Sequence, residues 1–153
     1  MHVLELKVPP VAVVLLVAGV MWLVTWAVPA FGFVFPAREL FAAGLAVVGL
    51  VVSALGVALF RRAGTTVNPM KPDLASSLVV SGVYVRTRNP MYLGLLVVLV
   101  GWAVFLSNAL AFLMLPAFIL YMNRFQIEPE ERALASLFRQ DFAAYKSRVR
   151  RWL

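Results

Sequence analysis

Long uncharged stretches alternate with short polar ones along this chain. Residues 8–37 carry no charge, and 11–28 is their most apolar part. Residues 40–60 are uncharged over 21 positions and residues 91–123 over 33. A membrane-crossing helix needs about 20 residues at 1.5 Å each. The first two runs fit one helix each. The third would form a helix of roughly 50 Å, against a hydrocarbon core of about 30 Å. Ser107-Asn108 sits at its middle and reads as a turn. The pattern therefore predicts a tight hairpin of short helices, 91–106 and 109–123, with Pro116 kinking the second.

After residue 123 the pattern changes. Glu128 precedes Pro129, which marks a helix start, with Glu130 and Glu131 in the first turn, where acids suit the helix dipole. Leu134, Leu137, Phe138, Phe142, Tyr145 and Val149 recur at steps of three and four, opposite Arg132, Arg139, Lys146 and Arg150. This is the signature of an amphipathic helix, expected to lie at the membrane interface with Trp152 as its anchor. The fold expected is an all-α integral membrane protein. It has four transmembrane helices and an interfacial helix within one membrane-embedded domain, residues 1–153.

Composition narrows this further. The chain is 63% hydrophobic and 14% charged, against roughly 45–50% and about 25% in soluble domains. A chain of this size cannot bury so much apolar surface inside itself, so a soluble monomer and a disordered chain are excluded. There is no cysteine, which removes disulfides, thiolate catalysis and Cys metal sites. The one histidine is His2, so histidine-based catalysis is not expected, and neither is a metal site.

Net charge is +7, and its distribution sets topology. With four spans, 13 of the 14 basic residues fall on one side of the membrane, against Arg38 alone on the other. Positive charge marks the cytoplasmic side. Both termini, the 61–90 loop and the 124–153 tail are therefore expected there, in the inner (cytoplasmic) membrane. Such an excess also suits contact with anionic lipid; no nucleic-acid partner is expected. The N-terminus lacks the basic region and cleavage site of a signal peptide. No span carries a charge, which argues against an ion-coupled transporter. Ala42, Ala46, Gly49, Ser53 and Gly56 share one helix face, which serves either packing within the chain or a homodimer seam.

The polar chemistry gathers in 61–90 and 124–153. Asn89 and Pro90 read as the N-cap and first residue of the third span, placing Tyr92 beside the free amides of a helix N-terminus. Such a terminus favours carboxylate or phosphate. The plainer alternative is a capped helix whose arginines reach lipid headgroups. Glu128, Glu130 and Glu131 are three carboxylates just under a membrane. They suit either dipole-matched acids paired to nearby arginines, or a polar pocket for ribose hydroxyls or a cationic cofactor.

Gly82-x-Tyr84-x-x-x-Arg88-Asn89-Pro90-x-Tyr92-x-Gly94 resembles the motif of the isoprenylcysteine carboxyl methyltransferase superfamily, which includes the phospholipid methyltransferases. Asn89 stands where many members carry histidine. Glu130-Glu131-x-x-Leu134, followed by Phe138, Tyr145 and a basic end, resembles that superfamily's C-terminal signature, and 64–69 resembles a segment of its bacterial members. The resemblance implies S-adenosylmethionine-dependent methyl transfer to a lipophilic acceptor: a prenylcysteine-like carboxylate, a lipid amine or a small thiol. It implies cofactor contacts from Tyr84, Arg88, Asn89, Tyr92, Glu130 and Glu131, with Arg124 and Glu128 as catalytic groups near the acceptor. The chain has no Gly-x-Gly-x-x-Gly fingerprint, in keeping with a non-Rossmann cofactor pocket. Two other classes stay open: an NADPH-dependent membrane reductase, because some share an Asn-Pro-x-Tyr turn, and a small non-enzymatic adaptor.

Overall fold

A computed structural model describes residues 5–153; His2 lies outside them. The described residues are helical throughout apart from loops and one bridge between Gly32 and Asn108. The helices are α1 (Pro10–Ala27), α2 (Arg38–Arg62), α3 (Pro90–Leu106), α4 (Ala109–Phe112), α5 (Met114–Met122) and α6 (Glu128–Arg148). A π-helical turn, Asn123–Ile127, joins α5 to α6.

Three stretches are long and apolar enough to cross a membrane: α1, α2 and the continuous helical run of 40 residues from Ala109 to Arg148. α3 is equally apolar but has 17 residues. α1 and α2 expose Leu15, Leu16, Trp26, Leu40 and Val47 on their outer faces, as a protein dissolved in hydrocarbon does.

The small-residue face of α2 is covered by α3. A Cβ added at Gly49 would lie 2.5 Å from the Gly94 carbonyl, and one at Gly101 would lie 2.9 Å from the Ala42 carbonyl. Ser53 donates to the Met91 carbonyl at 2.9 Å. The two backbones approach so closely that no side chain fits between them, which is how helices gain contact where no hydrophobic force acts between them. This corrects the homodimer expectation: the face is occupied within the chain.

Ser107 turns the α3–α4 hairpin in the left-handed region, with φ 49°. Asn108 is buried, accepts from the Leu110 amide at 3.0 Å and donates to the Val28 carbonyl at 3.0 Å. The α4–α5 interruption at Leu113 falls one turn before Pro116. Proline has no N–H for the Phe112 carbonyl and its ring crowds that turn.

Two expectations for the C-terminal region are corrected. First, α6 does not begin afresh at Pro129; the π turn carries α5 straight into it. Pro129 cannot donate to the Phe125 carbonyl, and the Leu6 amide takes that carbonyl instead at 3.0 Å. Gln126 donates to the Val8 carbonyl at 2.6 Å, so residues 5–8 strap across the π turn. Second, the apolar face of α6 is not held for lipid. Leu134, Phe138, Phe142, Tyr145 and the following Val149 pack on Leu59, Phe60, Leu78, Val79, Val83 and Tyr84. Leu137 stays exposed. Trp152, expected as an anchor, donates to the Asn123 side chain at 3.0 Å and packs against the core. α6 bends at Arg139, whose φ of 37° and ψ of −106° interrupt the helix.

Candidate active site

Three segments, two of them adjacent in sequence and the third at the start of α6, converge beneath α3. The first starts at Gly82, whose φ of +60° opens the short helical turn Gly82–Val85. Glycine takes that conformation without strain. The turn buries Tyr84, and Tyr145 locks it by donating to the Tyr84 carbonyl at 2.7 Å. Burial pushes the Tyr145 phenol up to about 12, against a lowering by Arg88.

The second segment is the α3 N-terminus. Asn89 occupies the N-cap position but its side chain does not cap the helix. It donates instead to the Arg151 carbonyl at 2.9 Å, beside Thr87, which donates to the same oxygen at 3.2 Å. This corrects the capping expectation. The C-terminal tail runs alongside and offers a better acceptor, and the Arg88 amide also binds it through the Arg150 carbonyl at 3.0 Å.

The third segment is the first turn of α6. Arg88 donates to Glu131 at 2.8 Å and to the carbonyls of Val149 at 2.7 Å and Lys146 at 3.1 Å. Arg151 grips the same carboxylate at 2.8 and 3.2 Å. Burial alone would raise the Glu131 carboxyl, but the hydrogen bonds from Arg151 and Arg88 outweigh it and hold the group below the ordinary value. Tyr92 donates to Glu130. Burial is the main cause that pushes Glu130 up to about 8; the Tyr92 hydrogen bond opposes it and the Glu131 charge adds to it.

These groups line one cavity of about 300 Å³. Tyr84, Arg88, Asn89, Tyr92, Glu130 and Glu131 all face it, under a roof that includes Thr66, Asn68 and Pro69. Among the described residues, the Tyr84 hydroxyl and the Arg88 Nε are buried with no hydrogen-bond partner. Burial raises the Tyr84 phenol far above its ordinary value, so its hydroxyl stays an O–H donor.

The two groups expected near the acceptor are not part of this cavity's lining. Neither Arg124 nor Glu128 lines the cavity. Arg124 binds Glu5 at 2.9 Å and Glu128 at 3.5 Å, and Glu5 also binds Arg132 at 2.6 Å. Arg124 thus holds the strap. Sequence reasoning missed Glu5, because nothing local in residues 5–8 announces a partner some 120 positions away. It also missed Tyr145 and Arg151 as site residues, having read them only as part of an amphipathic pattern and a basic end.

Residues 37–141 match the model of the phospholipid methyltransferase family. The chain belongs to that family. The matched region runs from the start of α2 into α6 and includes all six cavity-lining candidates. An uncharacterized protein of Haemophilus influenzae is 49% identical over 63 residues, which is 41% of this chain and the whole of that protein. No solved structure matches the chain. Membership of the phospholipid methyltransferases implies a methyltransferase and favours that reading over the reductase and adaptor alternatives.

Proposed function

We propose that this phospholipid methyltransferase family member moves the methyl group of S-adenosylmethionine to an uncharged or amine-bearing acceptor carried by a membrane lipid. The observation that carries this reading is the cavity that joins the two family motifs and holds an unpartnered buried donor, the Tyr84 hydroxyl. Its volume of about 300 Å³ falls at the small end of ordinary ligand pockets, about 300–1,000 Å³. Glu130 offers a carboxylate to a sulfonium or to ribose hydroxyls, and Tyr84 and Asn68 offer hydrogen-bond donors. These residues fit the cofactor. When bound, it supplies an electrophilic methyl on sulfur and leaves as a neutral thioether, so no metal is needed.

The protein's part is then positioning, worth roughly 7–11 kcal/mol in well-oriented reactions. The Arg88–Glu131–Arg151 cluster fixes the α3 N-terminus against α6 and the tail, so that Tyr92 and Glu130 meet. The apolar wall on the other side comes from Pro10 and Val11 of α1, Val57 of α2 and Leu95 of α3. Val11 is also more than half exposed on the outer surface, so a lipid chain could reach the cavity between α1 and α2.

Charge favours one acceptor class. Among the described residues, Arg88 is the single basic residue lining the cavity, and Glu131 and two carbonyls already hold it. An anionic acceptor such as a prenylcysteine carboxylate would find only the Nε of an Arg88 already neutralised by Glu131, whereas an amine would find Glu130. We read the topology as four spans with both termini cytoplasmic, on the strength of the basic asymmetry.

Methyl-labelled S-adenosylmethionine, given to the protein in nanodiscs containing phosphatidylethanolamine, tests the reading. The label should appear on the lipid amine. Label transfer to a farnesylcysteine carboxylate but not to the amine would contradict the acceptor class.

A further inference from the structure

Glu131 and Phe142 also line a second, open concavity of about 490 Å³ along α6. Its charged lining is Arg132, Arg139, Lys146 and Arg151 against Glu128 and Glu131. Both carboxylates draw part of their compensation from arginines outside the groove: Glu131 from Arg88 at 2.8 Å, and Glu128 from Arg124 at 3.5 Å. Within the groove Arg151 and Lys146 lie 2.8 and 3.8 Å from Glu131, and Arg132 is held by Glu5 at 2.6 Å, which leaves Arg139 as the groove cation without an acid among the described residues. Arg139 has no ion pair among the described residues, and it occupies the one non-helical position inside α6. Arg139 is exposed, so its guanidinium is open to solvent on the groove.

We propose that this groove binds a phosphate group, with the Arg139 guanidinium forking onto its oxygens and Lys146, 3.8 Å from Glu131, adding a point charge. Guanidinium matches phosphate geometry in a bidentate fashion, and ammonium does not. The groove is distinct from the methyl-transfer cavity but shares Glu131 with it, so an anion there draws on the same charge cluster. The phosphate belongs either to an anionic phospholipid of the adjoining leaflet or to a soluble phosphate ester.

The full chain in phosphatidylcholine nanodiscs distinguishes these sources when either phosphatidylglycerol is built into the disc or glycerol 3-phosphate is added to the buffer. One or both should raise the unfolding temperature, and the one that does so names the source. Arg139→Gly removes the guanidinium and relaxes the backbone. It should fold as stably as the parent without anion and need at least tenfold more anion for the same shift, while Arg139→Lys should keep part of the response. Lys146→Gln is the second variant, with an unstrained backbone, and should show a smaller weakening in the same direction. No response of the parent to either anion, or a full response in both Arg139→Gly and Lys146→Gln, overturns the proposal.

Discussion

Arg88 and Glu131 lie 43 positions apart and meet at 2.8 Å, with side chains only 9% and 11% exposed. One partner comes from the polar turn before α3 and the other from the first turn of α6. Each is the centre of a set of bonds, Arg88 to two tail carbonyls and Glu131 to Arg151. The pair thus fastens three segments at once.

Removing one member of a buried ion pair leaves the other uncompensated, at a cost of about 3–5 kcal/mol. Glu131→Gln is therefore expected to lose stability of that order, measured by thermal unfolding in detergent. This is far above the roughly 0.3–1 kcal/mol due to a helix dipole alone. A loss below 1 kcal/mol would mean that the cluster does not hold the segments together.

Gly94 lies in the recognised motif, yet its role here is packing. A Cβ at that position would strike the Ser53 hydroxyl and the Gly49 carbonyl, whereas one at Gly19 would meet nothing within 4 Å. Gly94→Ala should destabilise by about 1–3 kcal/mol through overpacking. Gly19→Ala should be neutral or stabilise by up to about 1 kcal/mol. Equal effects of the two substitutions on the unfolding temperature would refute the close α2–α3 approach.

Glu130 has its carboxyl raised from 4.5 to about 8. The folded state then binds the proton more tightly than the unfolded state, so this group's contribution to stability is present below pH 4.5 and is lost as pH rises toward 8. Glu130→Gln should remove that loss and hold its unfolding temperature better than the parent between those values. A cationic ligand favours the ionised form. The affinity ratio of S-adenosylmethionine to its neutral product should accordingly grow with pH up to about 8 in the parent and stay flat in Glu130→Gln. Parallel pH curves for parent and variant would remove Glu130 from the cofactor site.

The helices were legible where a run of apolar residues had charged or turn-forming ends. Stretches expected at 11–28, 40–60 and 91–106 correspond to α1, α2 and α3 within two residues at each end. The motif residues Tyr84, Arg88, Asn89, Tyr92, Glu130 and Glu131 were legible as a group and line one cavity. What failed depended on long-range partners. The Asn89 side chain prefers the Arg151 carbonyl to its own helix because the tail passes beside it. Pro129 reads locally as a start, but the π turn ahead of it absorbs the ring and hands the Phe125 carbonyl to Leu6. The apolar face of α6 has the periodicity of a helix on lipid, and nothing in a period tells lipid from the Val79 and Tyr84 cluster.

The central claim is that the cavity holds S-adenosylmethionine, and Tyr84→Phe tests it most directly. The Tyr84 hydroxyl has no partner within the protein, so its loss should leave the unfolding temperature of the ligand-free protein unchanged or slightly higher. A hydrogen bond to bound cofactor would be lost, at about 0.5–1.5 kcal/mol, or roughly two- to twelvefold in affinity. Calorimetric titration of S-adenosylhomocysteine into parent and Tyr84→Phe in nanodiscs should show binding weakened by that factor. Absence of binding to the folded parent, or identical affinities for the two proteins, would contradict the account.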